Sequence, residues 1–207
     1  MVVFTFVMAQ NPQSKKATEK WFPELEMDIN TPAFQKEKGF TKYDEMMAFL
    51  DARVQEHPEL LSYTFIGQSQ KGKDIPLLKL TKVNAQNKLR FWIQAGLHGN
   101  EPASTEGVLY LIDQLLTQPE YADFLSTMEL AIIPMANIDG YEKQDRYAHN
   151  GLDLNRDQTK FTAPESVALK EAFSTFNADV AMDFHEYRPY RRDYMQLGDW
   201  GINSPYD

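Results

Sequence analysis

Hydrophobic positions along the chain form short strand-like runs that give way to helical stripes. Met46, Met47, Leu50 and Val54 recur at three- and four-residue intervals and predict an amphipathic helix. It starts near Thr41-Lys42-Tyr43-Asp44, a capping-box-like sequence, and stops at His57-Pro58. Three runs rich in aromatic and β-branched residues follow, at 61–66, 75–81 and 88–95. They read as strands, and Gly72 marks a hairpin turn that makes the first two antiparallel. Val108, Leu111, Ile112 and Leu115 line the apolar face of a second helix, which opens at Pro102 and runs to about Gln118. A brief helical segment at 120–125 leads into a buried strand at 129–135, and a helix at 165–176 precedes a last strand at 179–184. Residues 136–160 form a long loop rich in Asn, Asp and Gly, and a loop of that length in a compact domain is more often functional than idle. Strands that alternate with helices after an antiparallel start predict an α/β fold. We expect a three-layer α/β/α sandwich around a mixed parallel and antiparallel sheet. Ligands in such sheets collect beyond the carboxyl ends of strands.

The 207 residues suit one such domain with a core that needs no staples. A formal charge of −9 argues against nucleic acid as a partner, since that surface would be basic. There are no cysteines, so any metal must be held by His, Asp or Glu. Residues 1–9 contain an apolar run ending in Val7-Met8-Ala9, which resembles a small-residue cleavage site. We read it as the remnant of an export signal, which places the protein outside the cytoplasm, secreted or periplasmic. The run is far too short to span a bilayer. Residues 10–40, polar and interrupted by Pro23 and Pro32, read as an extended lead-in to a domain over 41–207.

The chemistry gathers at strand ends. In residues 91–102, FWIQAGLHGNEP, the turn punctuated by Gly96 and Gly99 carries His98 and Glu101, which can face one ion. His185 follows the last strand. Two imidazoles and one carboxylate leave a fourth position open, the pattern of a catalytic zinc. The long loop supplies Arg146, Asn155 and Arg156; an Arg fork grips a carboxylate or stabilises an oxyanion. Asp153 can accept the free ring N–H of a zinc-bound histidine. Each also has an ordinary reading: a core histidine for His185, solvated surface for the arginines, a turn aspartate for Asp153. His57 reads as a helix-end histidine.

Residues 67–75 (GQSQKGKDI), His98-Gly99-Asn100-Glu101, Asn137-Ile138-Asp139-Gly140, Asp153-Leu154-Asn155-Arg156 and Asp183-Phe184-His185 resemble, in order and spacing, the zinc metallocarboxypeptidases of the carboxypeptidase A/B type. The resemblance covers about 41–187. It implies Zn²⁺ on His98, Glu101 and His185, with Asp153 orienting His98. It also implies Arg146 as the catalytic polariser of the carbonyl and oxyanion, and Asn155 and Arg156 as the grip on a substrate's terminal carboxylate. The implied reaction is hydrolysis of the C-terminal peptide bond of a peptide by a zinc-activated water. Two departures accompany it. The family's general-base glutamate and a substrate-covering tyrosine lie well beyond the last zinc histidine, whereas 22 residues follow His185 here. The chain therefore reads as the N-terminal portion of such a domain, and loss of a general base, worth about 10²–10⁴-fold, would leave it nearly inert alone. Glu186 stands where the family has a small hydroxyl residue; we expect it to pair with Arg188, Arg191 or Arg192. Two rivals share most of these motifs. One is a zinc amidohydrolase or deacylase of the aspartoacylase/succinylglutamate desuccinylase type, against which Asn137-Ile138-Asp139-Gly140 counts. The other is a zinc- or peptide-binding module without catalysis.

Overall fold

Five strands form one open sheet in the computed structural model, which describes residues 20, 28–82, 88–121 and 123–186. All but Lys20 and Asp28 of these lie in one compact unit, Ile29–Glu186. The apolar run at 1–9 and most of the lead-in lie outside the described residues.

Helix α1 (Tyr43–Glu56) precedes the hairpin of β1 (Leu61–Gln68) and β2 (Asp74–Leu80), and β3 (Leu89–Gln94) leads to α2 (Pro102–Thr117). The short helix α3 (Phe124–Thr127) runs into β4 (Met128–Ile133). Two four-residue helices, α4 (Ile138–Tyr141) and α5 (Leu154–Asp157), interrupt the predicted long loop, followed by α6 (Pro164–Phe176) and β5 (Val180–Asp183). β2 runs antiparallel to both β1 and β4, while β3 is parallel to both β4 and β5, the mixed sheet that the sequence pattern predicts.

Strand alternation sets the layers. Trp92 meets the edge of Phe173 of α6, ring centroids 5.4 Å apart, on one face. Phe91 and Ile93 turn to the other face, where they border a groove with Val108 and Leu111 of α2. α1 joins α2 through Arg53 and the buried Asp113, 2.6 Å apart. Leu130, Ala131, Ile132 and Ile133 of β4 are all buried, as expected of a continuous apolar strand between two layers. β5 departs from the expectation of a sheet covered on both faces: every one of its residues is exposed. It is the edge strand, one place beyond β3, and α6 meets the sheet at Trp92 and β1.

The start of α1 also differs from the predicted cap. The Thr41 amide and hydroxyl both donate to the buried Glu106 carboxylate, at 2.6 and 2.7 Å, so Thr41 is not available to the helix. Lys42 takes the N-cap position, and its N–H donates to Glu45 at 2.7 Å. The reason is long-range: a buried carboxylate requires donors, and Thr41 supplies two.

Beyond β3 and β4 the backbone pairing continues. Ala136 N–H donates to Ala95 O and Asn137 N–H to Gly96 O, each at 2.9 Å, so the two segments leave the sheet side by side. The Asn137-Ile138-Asp139-Gly140 stretch is then held on three sides. Asn137 caps α4 by accepting from Gly140 N–H at 3.1 Å. Asp139 accepts from the Ser69 hydroxyl and the Lys71 amide, at 2.9 and 3.0 Å, and so fastens the β1–β2 turn. Gly140 faces Gly99: a Cβ on Gly99 would lie 2.1 Å from the Gly140 carbonyl carbon and 2.3 Å from Tyr141 N. Backbone cannot move aside as a flexible side chain can.

Gly99→Ala should therefore cost about 1–3 kcal/mol in urea unfolding through overpacking. Gly107→Ala, on the exposed side of α2 with nothing within 4 Å of the added methyl, should be neutral or stabilise by about 0.5–1 kcal/mol. Equal effects at the two glycines would contradict the close approach.

Candidate metal centre

The turn after β3 begins at Gly96, whose φ of +64° reverses the chain in a conformation that disfavours side chains. His98 follows, 3% exposed, and Glu101 occupies the N-cap of α2. An N-cap side chain ordinarily accepts from the first helical amides. Glu101 does not. Its Oε1 lies 2.9 Å from His98 Nδ1 and its Oε2 lies 2.8 Å from His185 Nδ1.

The helix end is satisfied by other means. Pro102 has no N–H to satisfy, and the Ala103 N–H donates to Glu186 Oε1. Glu186 thus sits at a helix N-terminus, where a carboxylate is favoured by the dipole. The predicted arginine partners of Glu186 lie outside the described residues. The Glu186 amide donates to Glu101 Oε2 at 3.2 Å. His185 is delivered by β5, whose pairing extends through Phe184 N–H to Gln94 O at 2.8 Å.

One ligand atom from each of His98, Glu101 and His185 lies within 4.8 Å of the other two. A tetrahedral ion with bonds of 2.0–2.1 Å sets neighbouring donor atoms about 3.3 Å apart. The contacts of His98 and His185 with the two Glu101 oxygens, at 2.9 and 2.8 Å, lie within about 0.5 Å of that spacing. The ring nitrogens are arranged for the purpose. Each imidazole turns Nδ1 inward and Nε2 to a carboxylate, His98 to Asp153 at 3.2 Å and His185 to Asp183 at 3.1 Å. A neutral imidazole has one N–H and one lone pair. With a metal in place of the Glu101 hydrogen bonds, an N–H given to the rear carboxylate leaves the lone pair facing the centre. Two imidazole lone pairs and one carboxylate form the donor set of a zinc with an open coordination position.

Arg146 reaches the same centre, with Nε 3.0 Å from Asp153 Oδ2 and Nη1 3.5 Å from Glu101 Oε1. Its carbonyl accepts from Asn137 Nδ2 at 3.4 Å. Asp153 doubles as the N-cap of α5, accepting from Asn155 N–H at 2.9 Å. Asn155 borders a 300 Å³ cavity shared with Gln94, Gln158 and Asp183, and Arg156 is exposed one residue further on. His98, His185 and Arg146 thus gather on Glu101, and His98 and Arg146 on Asp153; Asn155 and Arg156 are joined to them through the backbone of α5. Sequence reasoning assigned no role to Asp183, although residues two apart on a strand share a side. It also had no means of seeing that Asn137 supports Arg146.

The charges shift accordingly. Burial pushes Glu101 up, but hydrogen bonds from His185, His98 and the Glu186 amide outweigh it and hold the carboxyl well below its usual range. Hydrogen bonds to Asp183 and then Glu101 raise His185 to about 9 against its burial. A histidine raised in the folded state stabilises fully below its unfolded value of about 6.5 and loses that contribution as pH rises through about 9. A depressed Glu101 stabilises above about 4.5 and loses its contribution as pH falls. Metal-free protein should therefore be most stable between roughly pH 4.5 and 6.5, as far as these two groups decide it. The decline toward pH 9 should vanish in His185→Gln, measured by urea unfolding across pH; an unchanged decline would contradict the assignment.

A family model described as zinc carboxypeptidase matches residues 46–190. Carboxypeptidase 2 of Trichophyton rubrum is 31% identical over 169 residues, covering 75% of this chain and 31% of that protein. Carboxypeptidase B of Astacus astacus is 35% identical over 104 residues, covering 50% of this chain and 34% of that protein. The metallo-carboxypeptidase from Burkholderia cenocepacia superimposes with a TM-score of 0.66 at 25% identity, over 72% of this chain and 42% of that one. The chain spans about 30% of the length of the curated fungal carboxypeptidases it matches. Among the described residues no helix is long and apolar enough to cross a membrane.

Proposed function

Because the chain belongs to the zinc carboxypeptidase family, we propose that His98, Glu101 and His185 hold zinc in a centre that removes the C-terminal residue from peptides. The observation that carries this reading is the meeting of three ligand atoms within 4.8 Å, with Arg146 against the same carboxylate. Zinc so held supplies a Lewis acid and lowers the pKa of a coordinated water toward ~7.

The chain's own residues do the rest. Asp153 holds the His98 ring with its lone pair inward. Arg146, anchored by Asp153, sets a guanidinium beside Glu101, where negative charge on the scissile carbonyl oxygen would develop. The Arg156 fork, exposed on α5, and the Asn155 amide grip the free carboxylate of the substrate. The substrate is then a peptide with a free C-terminus. Export to a secreted or periplasmic location belongs to the same proposal and rests on the apolar run at 1–9.

Zinc-loaded protein should bind a peptide with a free C-terminal carboxylate about 10- to 100-fold more tightly than the same peptide amidated, by calorimetry, as charge-assisted hydrogen bonds require. Arg156→Ala should remove that difference and spare binding of the amide, and His98→Ala should lose zinc on dialysis. Mass spectrometry should find any product shortened by one C-terminal residue. Equal binding of acid and amide, or turnover of an acyl-aspartate in preference to the peptide, would overturn the reading.

A further inference from the structure

The two histidines of the centre are held in very different surroundings. The His98 side chain is 4% exposed and packed in place, whereas that of His185 is 25% exposed and follows an edge strand whose residues are all exposed. Packing therefore cannot set the His185 ring as it sets His98. A hydrogen bond has to do so.

We propose that Asp183 is the positioning residue for His185: its carboxylate holds the ring Nε2–H and so aims the Nδ1 lone pair at the metal. The inference rests on the metal reading above. Asp183 Oδ2 lies 3.1 Å from His185 Nε2. The arrangement follows from the strand. Asp183 stands opposite Gln94 in the β3–β5 register, and Phe184 N–H donates to Gln94 O at 2.8 Å, so the backbone on both sides of the contact is pinned. Residues 183 and 185 project to one side of an extended chain. Met182 and Phe184 project to the other, where both border the 660 Å³ apolar groove beside α2. The His185 ring thus meets a carboxylate fixed by the same ladder that delivers it.

The geometry repeats that of His98. There too Nδ1 faces Glu101 and Nε2 faces an aspartate, Asp153 at 3.2 Å. A carboxylate behind a metal-bound imidazole fixes its tautomer and raises its basicity, and removing one commonly costs 10- to 100-fold in metal affinity. Asp183 and Asp153 also add two negative charges around a centre whose one charged ligand is Glu101, which favours a dication.

The test uses the 207-residue protein and zinc alone. Zinc affinity is measured by competition with a chromophoric chelator, and the His185 ring is observed by ¹⁵N NMR in the zinc-loaded state. Asp183→Ala should bind zinc about 10- to 100-fold more weakly and lose the slowly exchanging Nε2–H signal of His185. Asp183→Asn keeps an acceptor and should restore that signal with a loss of less than about tenfold. The far-UV circular dichroism of the metal-free variants should match wild type, which separates ring positioning from loss of the fold. Wild-type affinity in Asp183→Ala, or equal losses in both variants with the His185 tautomer unchanged, would overturn the proposal. If wild type binds zinc and His98→Ala does not, such a result removes only the role of Asp183. If wild type itself fails to bind, the metal reading falls with it.

Discussion

A single carboxylate shared by two imidazoles organises this end of the sheet. Glu101 occupies a helix N-cap, a position whose side chain would normally serve the helix, yet both of its oxygens are committed to His98 and His185. The consequences spread outward. Pro102 removes one amide that would need a partner, and Glu186 takes the next, so the His185 segment is tied to α2 twice: by its side chain on Ala103 and by its backbone on Glu101. Residues 84 positions apart in sequence close on one point because β3 and β5 are adjacent parallel strands that end side by side.

The turn that carries His98 stands against a second piece of backbone. Gly99 lies so near Gly140 and Tyr141 that no side chain fits, and Asn137, which caps the helix containing Gly140, also donates to the carbonyl of Arg146. Asp139, between them, fastens the β1–β2 turn. Four residues with no direct part in chemistry thus fix the height of the His98 turn, the place of Arg146 and the position of a distant hairpin. This explains physically why two sequence motifs separated by the whole of α2 occur together: they are the two halves of one contact.

Much of the fold is readable from local pattern. The periodicity of Met46, Leu50 and Val54, the Pro102 start of α2 and the apolar run at 130–133 correspond to observed elements because propensity and burial agree there. The predicted strands fall within one or two residues of their bounds, as does the mixed pairing. What escaped local reading was decided at long range. Thr41 is diverted from capping α1 by Glu106, 65 residues away, and Glu186 finds Ala103, 83 residues away. The cover over β5 was overestimated because an alternating apolar pattern at 180–184 shows that a strand has an apolar side, not what packs on it. At the centre, residue types and spacing suggested a His–Glu–His set, and the family resemblance a carboxylate behind His98. The equivalent carboxylate behind His185 needed the β3–β5 register to be noticed.

The central claim is that His98 Nδ1, one Glu101 oxygen and His185 Nδ1 bind one zinc ion. X-ray absorption at the zinc edge of the metal-loaded protein tests it most directly. The account predicts one zinc per chain, with scattering from two imidazole nitrogens and a carboxylate oxygen at about 2.0–2.2 Å. A spectrum showing a single imidazole or none, or one that keeps two imidazoles after His185→Ala, would contradict it.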